Sequence, residues 1–406
     1  MPCEIGRPSR HCTGFLLLPL LLAASLCGCG LPYYAQAVGG ELSILHQERP
    51  ITEVLQDPKT PPAVSARLRY VLRLRSFAQT ALDLPVGDNY RDYADLHRPY
   101  VVWNVFAARP LSLTLKQWCF PFTGCVAYRG YFAHAQALRF AHHLSKKGYD
   151  VFVGGVPAYA TLGYLQDPVL NTFLGYTRPA IAHLLFHELS HDLIYVPNAT
   201  TFDESFADTL ADIGVRRFLR AEGTPRQWRQ YRQSVGHHAQ ITALMNRCRA
   251  QLRIIYADRA RPQAHRRAAK RAALRALKAD IAKLALRWHE QAALAPFLHE
   301  PFNNALLGAY ASYESLVPAF KRLLALEDGQ LPAFFRAVRW YAKLPRTIRD
   351  RDLRSRSGLV ARPTVAHKAR ARNPGQTRRS RTPPPRYAPR PIDAQRTYAH
   401  DKASPF

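Results

Sequence analysis

His187-Glu188-Leu-Ser-His191 sets two imidazoles four residues apart, with a carboxylate directly after the first. On a helix these positions share one face, so both rings can hold a single metal ion. Zinc suits that donor set. Glu188 lies where it can take the proton of a water at the metal. A zinc ion that does chemistry also needs a third protein ligand and an open fourth position. Glu204, in Thr201-Phe-Asp203-Glu204-Ser-Phe-Ala-Asp208, can supply that ligand from a second helix returning after Pro197. Asp208 follows one turn later on the same face, placed to accept the remaining N–H of a ligand histidine. Asp203 points about 100° away from Glu204 and shares its face with Ala207 instead.

A competing reading makes this an ordinary helix pair. Thr201-x-x-Glu204 fits a capping box, which would use Glu204 on backbone rather than on a metal. Leu184, Leu185, Phe186 and Leu189 argue instead for a buried helix. Buried His-Glu and His-Asp pairs need a partner.

The elements that must position these groups occupy most of a 406-residue chain, 47% hydrophobic, enough for a sizeable core. Ala35, Val38, Leu42 and Leu45 fall at helical spacing and predict a first helix. Residues 62–83 predict a second, with Leu68, Val71, Leu72, Phe77 and Leu82 as its apolar face. Val101–Ala107 reads as a strand by its β-branched and aromatic content, and Gly124–Tyr131 and Asp150–Val156 read likewise. A helix from Ala133 to Lys147 separates the last two. Val215–Trp288 is helical, Ala- and Arg-rich, and Leu331–Lys343 reads as the last helix. The expected fold class is therefore α+β and predominantly α-helical. A small β-sheet precedes the His-Glu-x-x-His helix, and a helical C-terminal part follows. The expected domain spans 29–350, its α+β part about 29–215 and its helical part about 216–350.

Three further stretches offer substrate contacts. Gly155–Tyr164 is extended and Gly-bounded, and as an edge strand it could bind a peptide by strand addition through the region of Tyr159 and Thr161. Asn303, Asn304, Tyr310 and Tyr313 lie on one predicted helix and could touch substrate. Tyr313 could donate to the oxyanion of an attacked carbonyl. For each, a plain packing role is the alternative.

The ends of the chain speak to location. Arg7 and Arg10 precede an apolar run, Phe15–Leu26, too short for a membrane span, and Leu26-Cys27-Gly28-Cys29 follows. Residues 1–28 thus read as a lipoprotein signal peptide and Cys29 as the lipidated residue, with a secretory leader or short anchor helix as the alternative. The chain is expected in the bacterial cell envelope, facing the periplasm. Gly30, rather than Asp, after Cys29 points to the outer membrane. Cys119 and Cys125 bracket a short loop and could form a disulfide in an oxidising compartment, or stay two buried thiols; Cys248 has no obvious partner. The net charge of +28 suits anionic lipid head groups near the anchor. No nucleic-acid motif is present, and none is expected as partner. Residues 351–406 form a basic Pro/Arg-rich tail too poor in apolar residues to order itself.

Tyr33-Tyr-Ala-Gln-Ala-Val-Gly-Gly-Glu-Leu, Val101-Val-Trp-Asn-Val, Trp118-Cys-Phe-Pro, Gly124-Cys-Val-Ala-Tyr-Arg-Gly-Tyr-Phe132, Ala158-Tyr-Ala-Thr-Leu-Gly163, Asp167-Pro-Val-Leu170, His187-Glu-Leu-Ser-His191, Phe202-Asp-Glu-Ser-Phe-Ala207, Asn303-Asn-Ala305 and Val317-Pro-Ala-Phe320 resemble a family of bacterial lipoproteins described as zinc aminopeptidases. The likeness runs from about Cys29 to Arg351. The metal pattern is similar to gluzincin peptidases such as thermolysin. That resemblance implies His187, His191 and Glu204 as zinc ligands, Glu188 as general base, Asp208 as partner of a ligand histidine, and a peptide as substrate. Asp203 departs from the Asn more often found there.

Overall fold

The computed structural model describes residues 31–120, 124–314 and 316–355, with 31 and 312–314 by backbone alone. The leader with Cys29 and the tail from 356 lie outside the described residues. The described residues open with helix α1 (Leu31–Leu45), strand β1 (Arg49–Pro50), and helices α2 (Ile51–Gln56) and α3 (Pro62–Ala81). Pro62 stands in the first turn of α3, where its missing N–H costs nothing. Seven strands and two helices follow: β2 (Asp92–Ala94), β3 (Val102–Ala108), β4 (Trp118–Phe120), β5 (Gly124–Val126), β6 (Arg129–Tyr131), α4 (His134–Lys146), β7 (Asp150–Val156), β8 (Val169–Leu170) and α5 (Asn171–Leu174). The rest of the described chain is mainly helical: α6 (Arg178–Leu193), α7 (Thr200–Glu222), α8 (Pro225–Ala257), α9 (Gln263–Trp288), α10 (Gln291–His299), α11 (Asn304–Glu314), α12 (Val317–Leu326), α13 (Leu331–Ala342) and α14 (Arg346–Arg354). The fold is α+β and predominantly helical, as the periodicities predict.

The strands form three small sheets. β3 sits between β6 and β7, antiparallel to both, with Trp103 opposite Tyr131 and Gly155. β2 pairs antiparallel with β1 and parallel with β8. β4 and β5 make a hairpin whose facing residues, Cys119 and Cys125, are joined as a disulfide. Of the two expectations for these cysteines, the disulfide holds; Cys248 is a buried free thiol.

The main core gathers α3, α6, α7, α12 and α13 around Phe186, Phe206, Phe218, Phe320 and Phe334. Helix α6 buries Ile181, Ala182, Leu185, Phe186, Leu189 and Ser190, a stripe at helical spacing, and leaves His187, Glu188 and His191 on its flank. Helix α7 runs beside it. Gly214 permits the close approach, since a Cβ there would meet Phe186 Cδ2 at 2.6 Å. Its own buried face carries Phe202, Phe206 and Leu210. A second core joins α8, α9, α10 and α11 through Met245, Leu252, Leu277, Ile281 and Leu306.

Four local expectations are corrected. The α1 helix forms, but Val38 and Leu42 of its predicted apolar face are exposed, at 59% and 48%. It docks through Ile44, buried in the main core, and through Gly40, where a Cβ would meet the Phe132 ring at 2.1 Å. Gln36 Nε2 donates to Gly130 O, and Gln36 Oε1 accepts from Phe132 N. Gly124–Tyr131 is not one strand but two, β5 and β6, in different sheets, because the chain turns at Ala127–Tyr128. The extended stretch Gly155–Tyr164 keeps strand structure only to Val156, and Leu162 and Gly163, both at positive φ, turn the rest into a loop. Finally, α14 follows the helix expected to be last. It docks by Leu353, and Arg349 is buried with its guanidinium 4.6 Å from the centre of the Phe202 ring.

Candidate metal centre

Three donor atoms converge between α6 and α7. His187 Nε2 lies 3.3 Å from His191 Nε2 and 3.2 Å from Glu204 Oε2, and His191 Nε2 lies 3.8 Å from the same oxygen. A tetrahedral zinc site with ligand bonds of about 2.0–2.2 Å has edges of about 3.3–3.6 Å. The triangle formed by these atoms is thus the face of a tetrahedron of the right size. Among the described residues no other group of three or more His, Cys, Asp or Glu is so placed. The helix geometry explains the rest. Four residues separate the two histidines on α6, and Glu204 and Asp208 repeat that spacing on α7.

Asp208 Oδ1 lies 3.0 Å from His187 Nδ1. That contact places a proton on Nδ1, so in the neutral ring the Nε2 lone pair faces the triangle. His191 lacks such support: its Nδ1 is buried without a partner. The capping-box alternative does not form. Helix α7 starts at Thr200, its N-cap Ala199 has no side-chain cap, and Glu204 therefore lies past the first turn.

The electrostatics favour a positive charge between Asp208 and Glu204. Burial opposes charge on His187, but its hydrogen bonds to Asp208 and Glu204 prevail and hold its pKa well above the ordinary imidazole value. In the metal-free chain His187 is thus the positive charge between two carboxylates. Burial drives His191 the other way, down to about 4. Burial raises Glu188 to about 8, and Glu204, Asp167 and Asp192 add to this against the opposing His187. The Glu188 carboxyl makes no hydrogen bond or ion pair among the described residues.

Asp203 faces elsewhere. It is 2% exposed and its Oδ1 accepts from Val196 N at 2.9 Å, closing the α6–α7 loop. Burial raises its pKa to about 8. Glu188 and Asp203 prefer their protonated forms in the folded state, so the stability they contribute is lost as pH rises towards 8. His191 works oppositely, but only below its unfolded pKa near 6.5. A chelator-treated chain is expected to lose about 1–2 kcal/mol per carboxyl between about pH 6.5 and 8. Denaturant titrations at both pH values measure it.

The other expected site residues are dispersed. Tyr159 hydrogen-bonds Glu41, and Thr161 closes its own loop, its N donating to Asp167 and its Oγ1 to Leu165 O. The side chain of Tyr313 lies outside the described residues. Asn303 and Asn304 are corrected from substrate contacts to fold contacts. Asn303 Oδ1 accepts from Ala305 N and Leu306 N at the start of α11, while its Nδ2 reaches Val151 O. Asn304 is fully buried, donates to Arg109 O and Pro110 O, and accepts from Tyr256 Oη. Replacing it by Ala leaves those groups unpaired, so Asn304→Ala is expected to cost about 2–4 kcal/mol of stability without changing KM.

A protein-family model described as "Putative aminopeptidase" matches residues 32–353. The chain belongs to that family. No curated protein and no solved structure matches it. The family match runs from α1 into α14 and so contains the whole α6–α7 centre, while the leader and the tail fall outside it.

Two further residues escape a linear reading. Asn198, in the α6–α7 loop, accepts from Cys125 N at 2.7 Å through its Oδ1. Gly124 makes room for it, with φ of +71° and a would-be Cβ 2.7 Å from Asn198 Oδ1. This docks the β4–β5 hairpin on the loop joining the two donor helices. Three residues on, Tyr128 packs on Phe106 with ring centres 5.7 Å apart. Burial raises the pKa of its phenol, and Glu204, Tyr195 and Glu188 add to the rise. The half-buried phenol keeps its proton at neutral pH and can donate a hydrogen bond.

Proposed function

We propose that this chain is a zinc-dependent peptidase, an aminopeptidase, held by lipid on Cys29 in the bacterial envelope. The observation that carries the catalytic part is the tetrahedral spacing of His187 Nε2, His191 Nε2 and Glu204 Oε2, with Glu188 free of hydrogen bonds and ion pairs among the described residues. The donor set fits zinc: two imidazoles, one of them backed by Asp208, and one carboxylate. When bound there, zinc supplies a Lewis acid for carbonyl and water, and a positive charge that favours ionised Glu188.

The chain's own residues do the rest. Asp208 keeps the His187 proton on Nδ1. Glu188 accepts a proton from the attacking water and returns it to the leaving amine nitrogen. Tyr128 donates its phenolic proton in a hydrogen bond to the carbonyl oxygen as that oxygen gains charge. Tyr128→Phe is therefore expected to lower kcat by about 10²–10³, with KM little changed, in steady-state peptide hydrolysis.

Peptides with free and with acetylated N-termini test the exopeptidase assignment: only the free ones should be cleaved. An endopeptidase reading has one observation in its favour. Asp203, the carboxylate nearest in sequence that could hold a substrate amine, is turned to Val196 N instead. Equal cleavage of both peptides would select it. No hydrolysis of any peptide, with zinc bound at one per chain, would replace catalysis by an envelope-binding role.

A further inference from the structure

Tyr34, Val38 and Leu42 of α1 stand 43%, 59% and 48% exposed. Spaced at i, i+4 and i+8, they form one apolar line along the helix. The line faces outward because the other side and the flank next to Tyr34 are fixed. Ile44 is buried in the main core, Gly40 sits against Phe132, and Glu41 hydrogen-bonds Tyr159. Ser43, on the far edge of the exposed surface, is polar.

At 15 residues α1 is about 22 Å long, too short for a bilayer core of about 30 Å. No helix among the described residues is long and apolar enough to cross a membrane. A short helix with one apolar line suits the plane of the interface, and a tyrosine at its end suits the head-group level. The sequence also says which surface is at hand. Cys29 stands two residues before the start of α1, a reach of at most about 7 Å.

We propose that the Tyr34–Val38–Leu42 line lies in the head-group and acyl boundary of the bilayer that holds the anchor. Helix α1 is then a second membrane contact, and it fixes how the domain faces the surface. The proposal rests on the lipid anchor at Cys29 and is independent of the zinc reading. Two attachment signals together hold a protein far more firmly than one.

The test uses the full-length acylated protein in vesicles, carrying a bimane label at Val38→Cys or, separately, at Ser43→Cys. Both positions are exposed, so neither change removes a core contact. Lipids brominated in their acyl chains should quench the label at 38 several-fold more than at 43, and aqueous iodide should show the reverse. Equal iodide quenching at both positions, with none from bromolipid, overturns the proposal. So does a label at 38 shielded from both quenchers, which would mean that protein covers the line: the leader or a second copy. The mass of the N-terminal peptide separates the two premises. An acylated Cys29 with Val38 in water overturns the membrane line alone, whereas an unmodified Cys29 on a chain that leaves the vesicles overturns both.

Discussion

Glu188→Gln is expected to keep its metal and lose about 10²–10⁴ in turnover. Gln preserves the shape of the side chain but cannot accept the water proton. The fold should tolerate the change well, because the Glu188 carboxyl makes no hydrogen bond or ion pair among the described residues. Burial and three neighbouring carboxylates already disfavour charge there. Removing that charge should leave the metal-free chain as stable as before, or more so, at pH 8. A variant that is folded, metal-loaded and inactive would place the loss in chemistry. One that hydrolyses peptide at the parent rate would remove Glu188 from the mechanism.

The second large effect concerns the metal itself. Glu204→Ala should strip it. Only two imidazoles would remain, one of them with an unpartnered buried Nδ1. Asp208→Ala should weaken binding by about 10–100-fold, since it removes the group that holds the proton on His187 Nδ1. Asp203→Ala should leave affinity nearly intact and instead destabilise the fold, because Val196 N loses its acceptor. Competition with a chromophoric chelator ranks the three. A metal lost from Asp203→Ala but retained by Glu204→Ala would invert the assignment of the two adjacent carboxylates.

The α6–α7 pair was legible because its logic is local. A spacing of four, read twice, sets His187 over His191 and Glu204 over Asp208, and Pro197 marks the return between them. Secondary structure was legible for the same reason wherever the signal was local, whether a helical period as in α3 or a run of β-branched and aromatic residues as in β3. Helix α1 shows how periodicity misleads. Its apolar positions Ala35, Val38, Leu42 and Leu45 predict the buried face, yet the helix docks by Ile44, by the absence of a side chain at Gly40 and by two polar side chains, Gln36 and Glu41. Asn303 and Asn304 misled differently. Adjacent amides look like ligand contacts until the carbonyls of Arg109, Pro110 and Val151, from 150 to 200 residues away in sequence, arrive to use them. Tyr128 was invisible because its place depends on the bond between Cys125 and Asn198, across 73 residues. Nothing in either segment alone announces that contact.

Zinc reconstitution decides whether the α6–α7 centre is a catalytic metal site. The protein, stripped by chelator and returned to one equivalent of zinc, is assayed on peptides with free N-termini, with zinc content measured on the same samples. The expected result is one zinc per chain, no hydrolysis without it, full recovery with it, and neither binding nor recovery in His187→Ala. Undiminished hydrolysis by the stripped chain, or full zinc binding by His187→Ala, would contradict a catalytic metal between α6 and α7.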